Sequence, residues 1–169
     1  MKTLYLIGMP GSGKSALGEA LAESLGRPFL DTDGEIARRT GRTAEEIIAQ
    51  DGEEAFRRLE HALFQELQVQ SSLVVSTGGG FPLFNDHMAR MNEEALVLYL
   101  RFSPQTLWER LKEDRHRPLS DTWEKTEALY GRRKSIYETA RLIYDGGEDF
   151  QENLKGILQL LKQYCPEEF

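Results

Sequence analysis

One cysteine, Cys165, leaves no partner for an intrachain disulfide, and with the scattered His61, His87 and His116 it makes no metal cluster. Long apolar runs are missing too. None approaches the roughly 18 residues that a membrane-spanning helix needs, so no membrane partner is expected. Basic charge is scarce: 21 Lys and Arg stand against 28 Asp and Glu, a net charge of −7. Nonspecific binding to nucleic acid draws its affinity from basic side chains on phosphates, so nucleic acid is not an expected partner. Any anionic substrate must then be held by locally placed arginines. Residues Met1 to Ile7 run straight into a glycine-rich loop, too soon for a cleavable signal, which predicts a cytoplasmic protein. With no repeat, low-complexity tract or linker, the 169 residues are expected to form one domain over 1–169.

Against these absences stands one dense feature. Gly8-Met-Pro-Gly-Ser-Gly-Lys14-Ser15 satisfies the G-x-x-x-x-G-K-[ST] spacing directly after the apolar run Leu4 to Ile7. A phosphate chain bound there needs inward-facing backbone N–H groups, and the glycines remove the Cβ atoms that would block them. Lys14 adds a positive charge. Ser15, at a helix start, can ligate Mg²⁺ while the first turn of that helix attracts the anion. The bland alternative is a glycine turn joining strand to helix. The stripe Ala16, Leu17, Ala20, Leu21 and Leu25 behind the loop agrees with a strand–loop–helix nucleotide site.

The rest of the chain alternates strand and helix. Gly26 ends the first helix, and Phe29-Leu30 makes a short strand that stops at Asp31-Thr32-Asp33. A short helix is expected from Glu35 to Arg39. Thr43 to Glu46 is a capping box for the next, and a longer amphipathic helix runs from Glu53 to Gln70. Leu73-Val74-Val75 reads as a strand buried on both faces, ending in Ser76-Thr77-Gly78-Gly79-Gly80. A helix over 85–92 leads to a strand at Leu96 to Leu100, and Ser103-Pro104 starts a helix to about Leu111. Residues 113–121 lack apolar periodicity and read as an exposed loop. A helix over 122–140, a strand at Leu142 to Tyr144 and a helix from Phe150 to Tyr164 complete the chain. This alternation predicts a three-layer α/β/α domain around a parallel sheet.

Three constellations beyond the loop suit phosphoryl transfer, which asks the protein mainly for positioning and charge neutralisation. Ligands of an open α/β sheet sit beyond the C-terminal strand ends, so Asp31 and Asp33 should meet Lys14 at one edge. If the backbone between them is extended they point the same way, one toward Mg²⁺ through water and the other toward a substrate hydroxyl. Alternatively they are solvated turn residues, or one caps the helix after them. Arg57 and Glu60 lie one helical turn apart, so Glu60 can orient a guanidinium fork for a carboxylate, although such a pair by itself is usually a surface ion pair. Arg115, Arg117, Arg132 and Arg133 suit a lid over phosphates, or a solvated basic face. Trp108, Trp123 and the aromatics at 99, 102, 130 and 137 are expected in the core.

Taken together, the Gly8–Ser15 loop, Asp31-Thr-Asp33, Phe56-Arg57-Arg58-x-Glu60, Gly78-Gly79-Gly80, Arg117-Pro118-Leu119 and Arg133-x-x-x-Tyr137 closely resemble the shikimate kinases. These belong to the nucleoside monophosphate kinase-like group of P-loop proteins. The resemblance implies a five-stranded sheet of order 2-3-1-4-5, a mobile lid at about 112–123 and an acceptor-binding helical segment at about 32–60. It implies transfer of the ATP γ-phosphoryl group to the 3-hydroxyl of shikimate, in the pathway to chorismate and aromatic amino acids. Gly11, Ser12, Gly13, Lys14, Ser15 and Ala16 would cradle ATP, with Arg110 on the adenine. Ser15 would hold Mg²⁺ directly and Asp31 through water. Asp33, Arg57, Gly78, Gly79, Gly80 and Arg133 would bind shikimate, with Asp33 as base. Lys14 and Arg117 would neutralise the moving phosphoryl group. A monomer is expected. Two departures are Ser120 in the lid and the proline-free segment Asp145-Gly-Gly-Glu-Asp149 after the last strand. A gluconate-kinase-like enzyme and an inactive nucleotide-binding module are the competing readings.

Overall fold

The strand that feeds the phosphate loop is also the centre of the sheet. A computed structural model describes residues 1–112 and 122–168, so Arg115, Arg117, Ser120 and most of the expected lid lie outside the described residues. Strand β1 (Leu4–Ile7) pairs on one side with β3 (Val74–Ser76) and on the other with β4 (Leu96–Arg101). Strands β2 (Phe29–Asp31) and β5 (Leu142–Asp145) flank them. All pairings are parallel and the order is β2-β3-β1-β4-β5, as the resemblance implied. Parallel strands covered on both faces carry near-continuous apolar runs, and Leu4, Leu6, Ile7, Val74, Val75, Val97 and Leu98 are all fully buried.

Successive residues of β1 face opposite layers. Leu6 lies against Gly18 of α1 (Lys14–Leu25), and Tyr5 meets Phe64 of α4 (Glu53–Gln68) edge to face at 6.3 Å between ring centres. The remaining helices are α2 (Thr32–Thr40), α3 (Ala44–Asp51), α5 (His87–Glu94), α6 (Pro104–Leu111), α7 (Trp123–Tyr137) and α8 (Phe150–Tyr164). The capping box read at Thr43 has both arms: Thr43 accepts from the Glu46 N–H, and Glu46 accepts from the Thr43 N–H at 2.8 Å. No helix among the described residues is long and apolar enough to cross a membrane.

The structure corrects the expectation at residues 31–33. The backbone is extended at Asp31 alone, because its Oδ1 accepts the Gly34 N–H at 2.9 Å and the helix starts at Thr32 rather than Glu35. A strong cap at the strand end pulls the helix back by three residues. Asp33 therefore reaches the strand edge from the first helical turn. A second addition is the 3₁₀ turn Phe81–Leu83 after the glycine run, which displaces the start of α5 to His87. Tyr99, Phe102 and Tyr137 are buried as expected of core aromatics, and one of them does more than fill space; Tyr130 packs against the core half-buried, and Trp108 and Trp123, also expected in the core, are half-buried outside it.

Candidate active site

Between β1 and α1 the backbone curls through Gly11 and Gly13, both at positive φ, with Gly13 as the N-cap of α1. Ser12 is fully buried inside the curl, while Gly13, Ser15 and Ala16 are exposed at the helix start where N–H groups lack intrahelical partners. Lys14 folds back over the loop, donating from Nζ to the Met9 carbonyl at 2.8 Å and to Ser12 Oγ at 3.3 Å. Its ammonium is thus held at the mouth of an anion-binding curl.

One residue further on, Ser15 Oγ donates to Asp31 Oδ2 at 2.5 Å and lies 3.3 Å from Ser76 Oγ. Asp31 divides its oxygens, Oδ1 to the cap of α2 and Oδ2 to Ser15. Three oxygen donors meeting beside a phosphate loop fit Mg²⁺, a hard cation that favours oxygen ligands. Ser76 was not singled out from the sequence. Its signal was only its place as the last residue of β3 before the glycines.

On the other side of the strand edge, Gly78, Gly79 and Gly80 each lie against a different charged side chain. A Cβ built on Gly78 would come 2.6 Å from Asp33 Oδ1, one on Gly79 2.7 Å from Arg133 Nη1, and one on Gly80 would collide with the Arg57 guanidinium. Three glycines are needed because three side chains converge on one short piece of backbone. Arg57, Asp33, Arg133 and the glycine run, all chosen from the sequence, are therefore brought together. Arg57 Nη1 donates to Glu60 Oε2 at 2.5 Å, and Glu60 is fully buried. The pair is not a surface ion pair, so losing either partner strands a charge. Burial raises the Glu60 carboxyl while the guanidinium beside it pulls it down. Burial likewise raises Asp33, with Asp31 adding to the shift and Lys14 opposing it. Asp33 Oδ1 is buried without a hydrogen-bond partner among the described residues, a carboxylate oxygen suited to receive a ligand hydroxyl.

The glycine run is itself held by Thr32 and Tyr137, which stand in the sequence motifs but had no role assigned to them there. The Gly78 N–H donates to Thr32 Oγ1 at 3.0 Å, and the Tyr137 hydroxyl donates to the Gly79 carbonyl at 2.6 Å. Tyr137 and Arg133 lie one turn apart on α7, so the bond that docks Tyr137 also sets Arg133 over Gly79. We expect Gly80→Ala to push Arg57 aside and to cut acceptor kcat/KM on the order of 100-fold while leaving the KM for ATP near its original value, since an ångström of misplacement costs about that much. Steady-state kinetics with each substrate varied in turn would check it.

On the nucleotide side, Arg110 lies over the Phe102 ring at 4.5 Å, and its two Nη atoms reach the Gly11 and Gly147 carbonyls at 3.3 Å. It bridges the phosphate loop and the segment after β5. That segment lacks a proline, and Asn153 holds it instead: the amide accepts from the Gly147 N–H at 2.8 Å and donates to the Gly147 carbonyl at 2.9 Å.

The model of one protein family, shikimate kinase, matches residues 10–162 of this chain. The chain belongs to the shikimate kinase family. A shikimate kinase from Dechloromonas aromatica (strain RCB) is 40% identical over 149 residues, 86% of this chain and 81% of that protein. One from Pelotomaculum thermopropionicum is 36% identical over 168 residues, 97% of this chain and 98% of its own. Among solved structures, the shikimate kinase from Acinetobacter baumannii in complex with shikimate superposes with a TM-score of 0.91 at 32% identity, covering 98% of this chain and 95% of that one. The protein is an ATP-dependent kinase of this family, which works with ATP and Mg²⁺.

Proposed function

We propose that this chain moves the γ-phosphoryl group of ATP to the 3-hydroxyl of shikimate, yielding shikimate 3-phosphate and ADP on the route to aromatic amino acids. The observation that carries the acceptor reading is the convergence of Arg57, Arg133 and Asp33 on the Gly78–Gly80 backbone. Two guanidinium groups suit one carboxylate, and a buried carboxylate suits neighbouring hydroxyls, which describes a small polyhydroxylated acid. The same convergence is not required of a module that only binds nucleotide.

In this reading Gly11 to Ala16 and Lys14 hold the phosphates, and Arg110 supports the adenine. Ser15 would hold Mg²⁺, with Asp31 acting through water, and the ion when bound would offset charge on the phosphates. Arg57 and Arg133 hold the shikimate carboxylate, Glu60 orients Arg57, and the Gly79 N–H contacts the substrate. Asp33 takes the proton of the attacking hydroxyl as the new P–O bond forms and the bond to the β-phosphate oxygen breaks. Arg117, in a lid over about 112–123, joins Lys14 on the transferring group; this part rests on the sequence resemblance. One chain supplies all these residues, so we infer a monomer over 1–169, working in the cytoplasm.

The deciding experiment is a coupled ADP-release assay with Mg·ATP and shikimate, quinate, gluconate or no acceptor. Shikimate-dependent turnover is the expected result. Turnover with gluconate alone would redraw the carboxylate site, and ATP binding without turnover on any acceptor would favour a nucleotide-binding module.

A further inference from the structure

His61 on α4 and His87 on α5 take no part in the chemistry described so far, yet they touch. His61 Nδ1 lies 2.9 Å from His87 Nε2, and the ring planes differ by 9°. The ring centres are 5.2 Å apart, which is the N–N distance plus one ring radius at each end. The imidazoles thus meet edge to edge in one plane, the geometry of an N–H···N hydrogen bond.

The direction of that bond follows from its far end. His87 Nδ1 lies 2.8 Å from the Phe81 carbonyl, which can only accept, so Nδ1 carries the proton. His87 is fully buried among the rings of Phe64, Phe81 and Phe84, and burial pushes it down to about 4. Among the described residues the charged or titratable groups acting on it are His61 from α4, Asp86 at the N-cap of its own helix and Arg90 within that helix. A neutral His87 leaves Nε2 as an acceptor, so His61 must donate from Nδ1. His61 Nε2 then accepts from the Gln65 amide at 3.3 Å. The result is a one-way chain from Gln65 through both histidines to the Phe81 carbonyl.

On either side of the histidine pair the chain adjoins acceptor-site residues. His61 follows Glu60 directly and lies one turn after Arg57. Phe81 follows Gly80, and its N–H closes a turn onto the Gly78 carbonyl at 3.0 Å. We propose that His61 and His87 are positioning residues for acceptor binding, their donor chain holding the Gly78–Phe81 backbone at a set distance from the helix that carries Arg57. Thr32 and Tyr137 hold the near end and the middle of the same backbone; the histidines hold its far end. The inference rests on the assignment of Arg57 and the glycine run to the acceptor.

The test uses the full chain with His61→Leu, His61→Asn and Arg57→Ala, measuring KM for shikimate and for ATP. His61 is half-buried, so its replacement is compatible with folding. His61→Leu removes one hydrogen bond from the chain and is expected to raise the shikimate KM about tenfold, with the KM for ATP unchanged. His61→Asn places an amide donor where Nδ1 stood, on the atom next to Cγ, and should restore most of the loss. Long-range ¹H–¹⁵N spectra of the unaltered protein should show both imidazoles protonated on Nδ1 only, with His87 still neutral well below the ordinary histidine range. An Nε2–H form of His87, an unchanged shikimate KM in His61→Leu, or equal loss for both substrates would overturn the proposal. A silent His61→Leu beside a large Arg57→Ala effect overturns this inference alone. An Arg57→Ala variant with normal shikimate KM overturns the acceptor assignment and this inference with it.

Discussion

Asp33→Asn is expected to lower kcat by roughly 10²- to 10⁴-fold, the usual contribution of a positioned general base, while the fold and the KM for ATP stay close to those of the parent. The substitution conserves volume in a half-buried position at the first turn of α2, and the cap of that helix belongs to Asp31, not Asp33. Helix and sheet edge should therefore survive. What changes is the capacity to accept a proton. Burial and the nearby Asp31 raise the Asp33 carboxyl above the ordinary aspartate range, which brings it closer to working pH and favours proton acceptance. The base must be ionised, so kcat/KM should fall as pH drops through this raised value, and Asp33→Asn should remove that acid limb. Residual activity without the limb would support the assignment; near-normal turnover, or an unchanged limb, would end it.

Arg57→Ala is expected to reduce kcat/KM for shikimate on the order of 100-fold or more, with little effect on ATP. Truncating one member of a buried, hydrogen-bonded charge pair costs about 2–5 kcal/mol, part of it from the partner left behind. Here the partner is Glu60, fully buried and 2.5 Å from the guanidinium. Arg57→Ala should therefore also lower the melting temperature, and Arg57→Ala/Glu60→Gln should recover stability without recovering shikimate affinity. Arg57→Lys keeps the charge but loses the planar fork, so it should restore the KM only in part. Equal changes in the two substrates' KM values would make Arg57 a structural residue.

The phosphate loop was legible because its chemistry is local: glycines, a lysine and a serine at fixed spacing, between a strand and a helix, act through adjacent backbone. Sheet order came through family resemblance, since periodicity distinguishes strands from helices and says nothing of which strands pair. Asp31 shows the limit of local reading. Its place at a strand end suits both a metal-side carboxylate and a helix cap; the structure has it capping α2 with one oxygen and receiving Ser15 with the other. The same holds for Arg57 and Glu60. Their spacing foretold the pair, but its burial, which decides whether it holds a substrate or decorates a surface, depends on elements distant in the chain.

By itself the sequence determined the nucleotide-binding edge, the alternation of strand and helix, and the residues from which an acceptor site could be made. Only the tertiary structure decided why three glycines stand together, through the close approach of Asp33, Arg133 and Arg57. It also decided that Tyr137, Thr32 and the His61–His87 pair hold that backbone in place. The physical reason is separation along the chain. Thr32 and Tyr137 act on residues 46 and 58 positions away, and the histidines stand 26 positions apart. Spacing rules reach across one helical turn or one strand, whereas these contacts exist only once a parallel sheet has brought its strand ends to a common edge.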